Sequence, residues 1–355
     1  MMRSDRPPPE MTPEKEDVLR IYPRSVLEIC PPFVQNSLEL LVVASVTHCL
    51  LWTSMSLLFL AYLYSIGFWY LPLAAAVAYL PTYFNGANDK VLPSQGGMQW
   101  DAFRRHGVWQ LVCSYLKLEC VREAPLDPTE RYIFGVHPNS FSLFSGLVLC
   151  GGNFERLFPG LAARLLLPSS ILSIPFVREL CLWLCGVAAS SDATESALNN
   201  GLSVLIFPGG TDEALTSDST DTDTTLVLEH HMEHIQLAFT QGASLVPTFV
   251  FGERWLYWSW PTPQTWPYWV RWIIKVPSLF LCARGRFGTW LPFLPSGKRK
   301  LAVVFGAPIP VHQKEDPTED ELRRVHAIYV DRLQKLFEAY KHDFGYADDD
   351  QIIIT

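Results

Sequence analysis

Charge is missing from one long stretch of the chain. From Leu40 to Asn88 there is no Asp, Glu, Lys or Arg, and charged residues make up only 18% of the 355, against the usual quarter. Such a run cannot form a solvated surface, which leaves a core or lipid. At roughly 20 apolar residues per bilayer crossing, it accommodates two helices, "LLVVASVTHCLLWTSMSLLFLAYLY" and "WYLPLAAAVAYLPTYF". Only Ser65–Phe68 separates them, and Pro72 and Pro81 interrupt the second. The expected form is a tight membrane-embedded helical hairpin that need not cross fully; a pair of buried soluble helices is the alternative.

Other absences narrow the function. The charged first twenty residues exclude a cleavable secretory signal at the start. There is no N-x-S/T sequon, and basic residues flank the hairpin on both sides (Arg20, Arg24; Lys90, Arg104, Arg105), which favours both ends in the cytosol. Eight cysteines lack metal-site spacing, so Cys181 and Cys185 read as small buried hydrophobes. "EHHMEH" (229–234) has neither HExxH order nor an evident third ligand, and reads as a polar helix face. No GxSxG elbow is present, which counts against a serine esterase. A net charge of −8 without basic runs argues against nucleic acid.

What is present reads as α/β. Four apolar segments, 132–136, 203–207, 245–251 and 301–306, are strand-like, with helix-capable stretches at 154–166, 179–200 and 228–242 between them. Continuous apolar strands alternating with helices predict a mainly parallel sheet flanked by helices. A helix is expected over Trp100–Cys120 and a last one over Glu319–His342, behind the cap-like Pro317–Thr318. The division expected is a cytosolic N-terminal tail (1–37), the membrane hairpin (38–84), a catalytic body (85–345) and a C-terminal tail (346–355). "RWLYWSWPTPQTWPYWVRW" (254–272) holds six of the twelve tryptophans and fits a membrane-interface contact or the rim of a lipid entrance; the alternative, an aromatic core cluster, is disfavoured by its three prolines.

Chemistry concentrates in two strand-ending segments. In "YIFGVHPNS", Pro138 holds His137 in extended backbone, so its ring projects where open α/β sheets bind ligands. A neutral imidazole there can take a proton from an alcohol. "LIFPGGTDEAL" repeats the strand-proline arrangement, followed by Gly209, Gly210, Asp212 and Glu213. The glycine amides suit a developing oxyanion, and Glu213 suits orienting His137 or polarising a hydroxyl. Arg178, in "ILSIPFVREL", fits either phosphate or carboxylate recognition or an internal ion pair, and Arg284 and Arg286 in "CARGRFG" offer a second cationic site.

These residues in this order resemble the diacylglycerol acyltransferase family, which also contains monoacylglycerol and wax-alcohol acyltransferases. The resemblance covers 38–342 and rests on the hairpin, "RYIFGVHPNS", "FPGLAARLLLPSSILSIPFVREL", "FPGGTDEAL", "QGASLVPTFVFGE", "GAPIPV" and "PTEDELRRVHAIYVDRLQKLFEAYK". The family's His-Pro-His-Gly reads here His137, Pro138, Asn139 and Ser140, so the first, catalytic histidine is kept and the second cannot titrate. The Gly-Gly-x-x-Glu block is met by Gly209, Gly210 and Glu213, and a shared proline and arginine by Pro175 and Arg178. "HMEHIQLAF" departs from the basic-glycine-phenylalanine stretch common in relatives. More distant glycerolipid acyltransferases place an aspartate five positions after the histidine; here that position is Ser142. Either Glu213 supplies the carboxylate from another loop, the favoured reading because both motifs are inferred to end adjacent strands, or His137 works without one.

The resemblance implies a glycerolipid-acyltransferase-like fold and transfer of a fatty acyl group from acyl-coenzyme A to diacylglycerol. The alternatives are a monoacylglycerol, long-chain alcohol or sterol acceptor, or an inactive membrane scaffold of the same fold. His137 and Glu213 are the expected catalytic residues. Asn139, Gly209 and Gly210 would position the oxyanion, while Arg178, Arg284 and Arg286 would bind acyl-coenzyme A or a lipid headgroup. Neither metal nor cofactor is expected, acyl-coenzyme A being a substrate. The expected partners are membrane lipids and the two substrates, with a homo-oligomer allowed, at the endoplasmic reticulum membrane or lipid droplets.

Overall fold

The computed structural model describes residues 17–24, 30–47, 49–138, 145–210, 213, 224–228, 232–256, 266–267, 269–270 and 299–355. Its strands are β1 (Leu19–Ile21), β2 (Glu119–Arg122), β3 (Tyr132–His137), β4 (Ala163–Leu167), β5 (Gly186–Ala188), β6 (Ser203–Ile206), β7 (Thr224–Leu226), β8 (Ser244–Phe251), β9 (Ala302–Phe305) and β10 (Ile352–Ile354). The helices are α1 (Pro32–Thr47), α2 (Cys49–Ser65), α3 (Tyr70–Tyr83), α4 (Asp101–Arg104), α5 (Val108–Tyr115), α6 (Asn153–Leu157), α7 (Ser169–Leu172), α8 (Val177–Trp183), α9 (Ser191–Asn199), α10 (Glu233–Gln241) and α11 (Glu319–Tyr340).

Eight strands form one sheet in the order β1-β2-β9-β8-β3-β6-β4-β5. All neighbours run parallel except β1–β2 and β8–β9. β3 lies inside, paired with β6 through Gly135↔Ile206 and with β8 through His137↔Phe249. The segments after β3 and β6 therefore leave the sheet side by side at its carboxyl edge.

The period of two along each strand divides the core. Phe134, Leu205, Val246 and Phe305 join one apolar cluster, whereas Ile133, Val204, Leu245 and Val304 join the other. Both faces are covered, which is why these strands read as continuous apolar runs rather than alternating ones. The first cluster is closed by α1, α5, α6 and α8, and the second by α9, α10 and α11. Helix α11 starts at a capping box: the Glu321 N–H donates to Thr318 Oγ1 (3.4 Å), and the Thr318 N–H to Glu321 Oε2 (2.8 Å). Its buried stripe, Tyr329, Leu333, Leu336, Phe337 and Tyr340, faces the sheet.

Three expected helices are divided. The stretch 154–166 is α6 followed by β4, broken at Gly160, whose φ is +85°. The stretch 179–200 holds β5 between α8 and α9; there a Cβ on Gly186 would sit 2.8 Å from the Cys181 carbonyl oxygen. Trp100–Cys120 becomes α4, α5 and the start of β2, with Lys117 at φ 51° turning the chain. Both expected tails contribute strands, β1 beside β2 and β10 parallel to β7.

The uncharged segment forms α2 and α3 together with the end of α1. Helix α1 packs on α5: Val43 is buried, and Ser114 Oγ donates to the buried Glu39 carboxylate (2.7 Å). Helices α2 and α3 instead leave Trp52, Leu58, Phe59, Tyr70 and Val77 exposed. Among the described residues no helix is long and apolar enough to cross a membrane.

Candidate active site

His137 ends β3 with its side chain on the Ile133–Gly135 side of the sheet, under α11. It is fully buried. Its Nε2 lies 3.0 Å from Tyr329 Oη, and that hydroxyl donates to the Gly135 carbonyl oxygen at 3.2 Å. Gly135 explains how the tyrosine comes so close: a Cβ there would stand 3.0 Å from Tyr329 Cζ and nearer still to Oη. Burial, reinforced by the Glu213 charge, pushes the Tyr329 phenol well above its usual value, so it stays a neutral hydroxyl. Its ring also packs edge-on against the buried His234, with centroids 5.1 Å apart.

Glu213 approaches from the neighbouring strand. After β6 the chain turns through Pro208–Gly210, where the Gly210 N–H donates to the Phe207 carbonyl (3.0 Å) and the Glu213 N–H to that of Gly209 (3.1 Å). The side chain folds back over the turn, so that a Cβ on Gly209 would lie 2.6 Å from Glu213 Cδ. Glycine is needed there as space for a carboxylate. Gly210 has φ +52°, the left-handed region that glycine enters without cost. The carboxylate is fully buried, accepts the Val227 N–H (3.4 Å) and sits 3.7 Å from His137 Nδ1. That separation is an ion-pair distance and exceeds a hydrogen bond. Nδ1 itself is buried with no hydrogen-bond partner.

The adjacency inferred from the two strand-ending motifs thus holds, and the pair spans neighbouring parallel strands. A buried imidazole beside a buried carboxylate is equipped to accept a proton, because the cation formed is stabilised at once.

The sequence profile of the family described as diacylglycerol acyltransferase matches residues 62–355. The chain belongs to that family. Mouse 2-acylglycerol O-acyltransferase 1 is 30% identical over 306 residues, covering 82% of this chain and 87% of that protein. Human 2-acylglycerol O-acyltransferase 3 is 32% identical, covering 71% and 77%. Diacylglycerol O-acyltransferase 2 of Danio rerio is 30% identical, covering 84% and 83%. A solved structure, the 1-acyl-sn-glycerophosphate acyltransferase of Thermotoga maritima, aligns at 18% identity and a TM-score of 0.36, covering 79% of this chain and 96% of that one.

As a member of the diacylglycerol acyltransferase family the chain is an acyltransferase, and its other expected site residues sort as follows. Asn139, Arg284 and Arg286 lie outside the described residues, as do Asp212, Ser140, Ser142, His230 and most of 254–272. The Gly210 amide, expected to face an oxyanion, closes its own turn instead. Arg178 takes the internal-pair alternative. It is 1% exposed and donates to Glu179 Oε1 (2.7 Å), Asn88 Oδ1 (2.8 Å), Asn85 Oδ1 (3.0 Å) and the Thr82 carbonyl (3.3 Å). Glu179 in turn accepts the Tyr79 hydroxyl (2.8 Å) and the Phe176 N–H (2.9 Å). Arg178 and Glu179 therefore clasp the end of α3 to α8 and present no free cation to a substrate. Tyr329 was not foreseen. Its one signal in the sequence was Gly135, a glycine inside an apolar strand, where only close approach of another group requires it.

Proposed function

We propose that this acyltransferase moves a fatty acyl group from acyl-coenzyme A to the free hydroxyl of diacylglycerol, forming triacylglycerol. The observation that carries the reading is the fully buried His137–Glu213 pair at the carboxyl ends of β3 and β6. His137 takes the hydroxyl proton as the alcohol oxygen attacks the thioester carbonyl. The cation formed on the ring is stabilised by Glu213. The Gly209 amide and Asn139 stabilise the oxyanion; its collapse expels coenzyme A as thiolate, which recovers the proton from His137. A thioester is already activated, so the protein's main work is to position both reactants and exclude water.

The acceptor is too apolar to arrive through water, and the exposed aromatic surface of α2 and α3 supports a monotopic anchor on the cytosolic face of the endoplasmic reticulum, with lipid droplets as a further site. Trp266 and Trp269, 41% and 65% exposed, fit the same interface. Arg284 and Arg286 are the cations proposed to meet acyl-coenzyme A. A 2-acylglycerol or wax-alcohol acceptor is the second reading, favoured by relatives that carry those names. Purified protein given labelled oleoyl-coenzyme A and separate diacylglycerol, 2-acylglycerol, long-chain alcohol and sterol acceptors decides between them. Triacylglycerol as the main product supports the first reading, and absence of any ester removes both.

A further inference from the structure

We infer that the proton-accepting atom of His137 is Nδ1, and that Tyr329 is the positioning residue that makes it so by holding the ring in its Nε2–H form. This deepens the acyl-transfer reading and rests on it. The Tyr329 hydroxyl donates its single proton to the Gly135 carbonyl oxygen, 3.2 Å away, an atom that can only accept. The same oxygen, 3.0 Å from Nε2, is then left to accept from the ring. The chain of donors runs Nε2–H to Tyr329 Oη, and Tyr329 O–H to the Gly135 carbonyl. It places the lone pair of the neutral imidazole on Nδ1.

Three further observations agree. Nδ1 is the ring nitrogen left buried without a hydrogen-bond partner. Tyr329 is itself fully buried among sheet and helix side chains, and His234 closes its other side, so no alcohol reaches Nε2 without displacing the phenol. Nδ1 also lies on the side of Glu213, whose carboxylate at 3.7 Å is too far to hold a ring proton in the resting state but near enough to stabilise one after transfer.

The step balances simply. The alcohol O–H bond breaks, its proton bonds to Nδ1, and the alkoxide oxygen bonds to the thioester carbon. The C–S bond then breaks, and Nδ1 returns the proton to the thiolate. Throughout, Nε2 keeps its own proton and its bond to Tyr329, which becomes stronger when the ring is charged.

The test uses the full chain in lipid nanodiscs, labelled with ring-15N histidine, with the His137 resonances identified by their loss in His137→Gln. At a pH where the ring is neutral, a protonated Nε2 and a bare Nδ1 are expected. In Tyr329→Phe, which keeps the ring and loses only the hydroxyl, the bond that fixes the proton on Nε2 is gone, and the Nδ1–H form should become populated, favoured by the nearby charge of Glu213. The kcat should fall by at least ~10-fold at nearly constant KM, since the wrong histidine tautomer is a costly defect in general-base catalysis. A wild-type ring carrying its proton on Nδ1 overturns the inference whether or not the variant folds. Unchanged kcat in Tyr329→Phe overturns it as well. If no acceptor is ever acylated, the proposed function fails, while the ring spectrum still reports on the tautomer.

Discussion

Two buried acid–base pairs stand in this molecule, and they are finished differently. Around Arg178 and Glu179 the donors and acceptors are met many times over: two asparagines, a carbonyl, a tyrosine hydroxyl and a backbone amide converge on the pair. Around His137 and Glu213 the closest approach is 3.7 Å, and the ring nitrogen facing the carboxylate has no hydrogen-bond partner. Burying a polar atom without a partner costs roughly 1–3 kcal/mol, so the ring is held from its other side, by the bond between Nε2 and Tyr329. Saturation marks the clasp that fixes α3 to the body. The unpartnered Nδ1 of His137 marks the place where another molecule's proton can go.

The largest effect that would break this contrast is at His137. His137→Ala should lower kcat by about 10²–10⁴-fold, the span that a positioned general base provides, with the purified protein still associated with membranes. Turnover near the wild-type value would put the chemistry elsewhere. Arg178→Met should do the converse. Leaving Glu179 charged and buried without its partner costs about 3–5 kcal/mol, read as a lower midpoint in thermal or denaturant unfolding, while kcat of the molecules still folded is retained. Loss of turnover at full stability would make Arg178 a substrate-binding group after all. Smaller again is Glu213→Gln, which keeps the shape over Gly209 but removes the charge that favours the imidazolium. A fall of about ten- to hundred-fold in kcat is expected, with KM little changed; identical kinetics would reduce Glu213 to packing.

The same contrast shows what could be read from the residues. The positions of His137 and Glu213 were legible because each stands at the end of a strand-like run marked by a proline, Pro138 after the histidine and Pro208 before the glutamate, and the observed sheet order sets β3 beside β6. β4 and β5 were not, because "ARLLL" and "GVA" are short apolar pieces whose neighbours are equally apolar, so periodicity cannot separate strand from helix. The saturation of Arg178 was hidden for another reason. Asn85, Asn88 and Thr82 lie some ninety positions away along the chain, and nothing in a local pattern announces them. Tyr329 occupies an ordinary position on an amphipathic stripe, and only the room left by Gly135 sets it apart.

The mildest perturbation lies at the start of α11, eleven residues before Tyr329. Thr318→Ala removes the hydroxyl that accepts the Glu321 N–H and should cost about 1 kcal/mol. Packing of Tyr329, Leu333 and Phe337 against the sheet sets the helix's position, so kcat should not follow stability. The capping box also has a pH signature. Hydrogen bonds from Lys314 first, and then from the Thr318 amide and hydroxyl, depress the Glu321 carboxyl to about 2. Its contribution is therefore fully present above the ordinary carboxylate range and is lost only as pH falls toward 2, which predicts that the gap in melting temperature between wild type and Glu321→Gln is constant above about pH 5 and closes in acid. Because this carboxylate is solvent-exposed, added salt should narrow the same gap. A kcat that tracked the cap would mean that the His137–Tyr329 bond depends on helix registry at its far end, and the separation between the reacting centre and its scaffold would have to be redrawn.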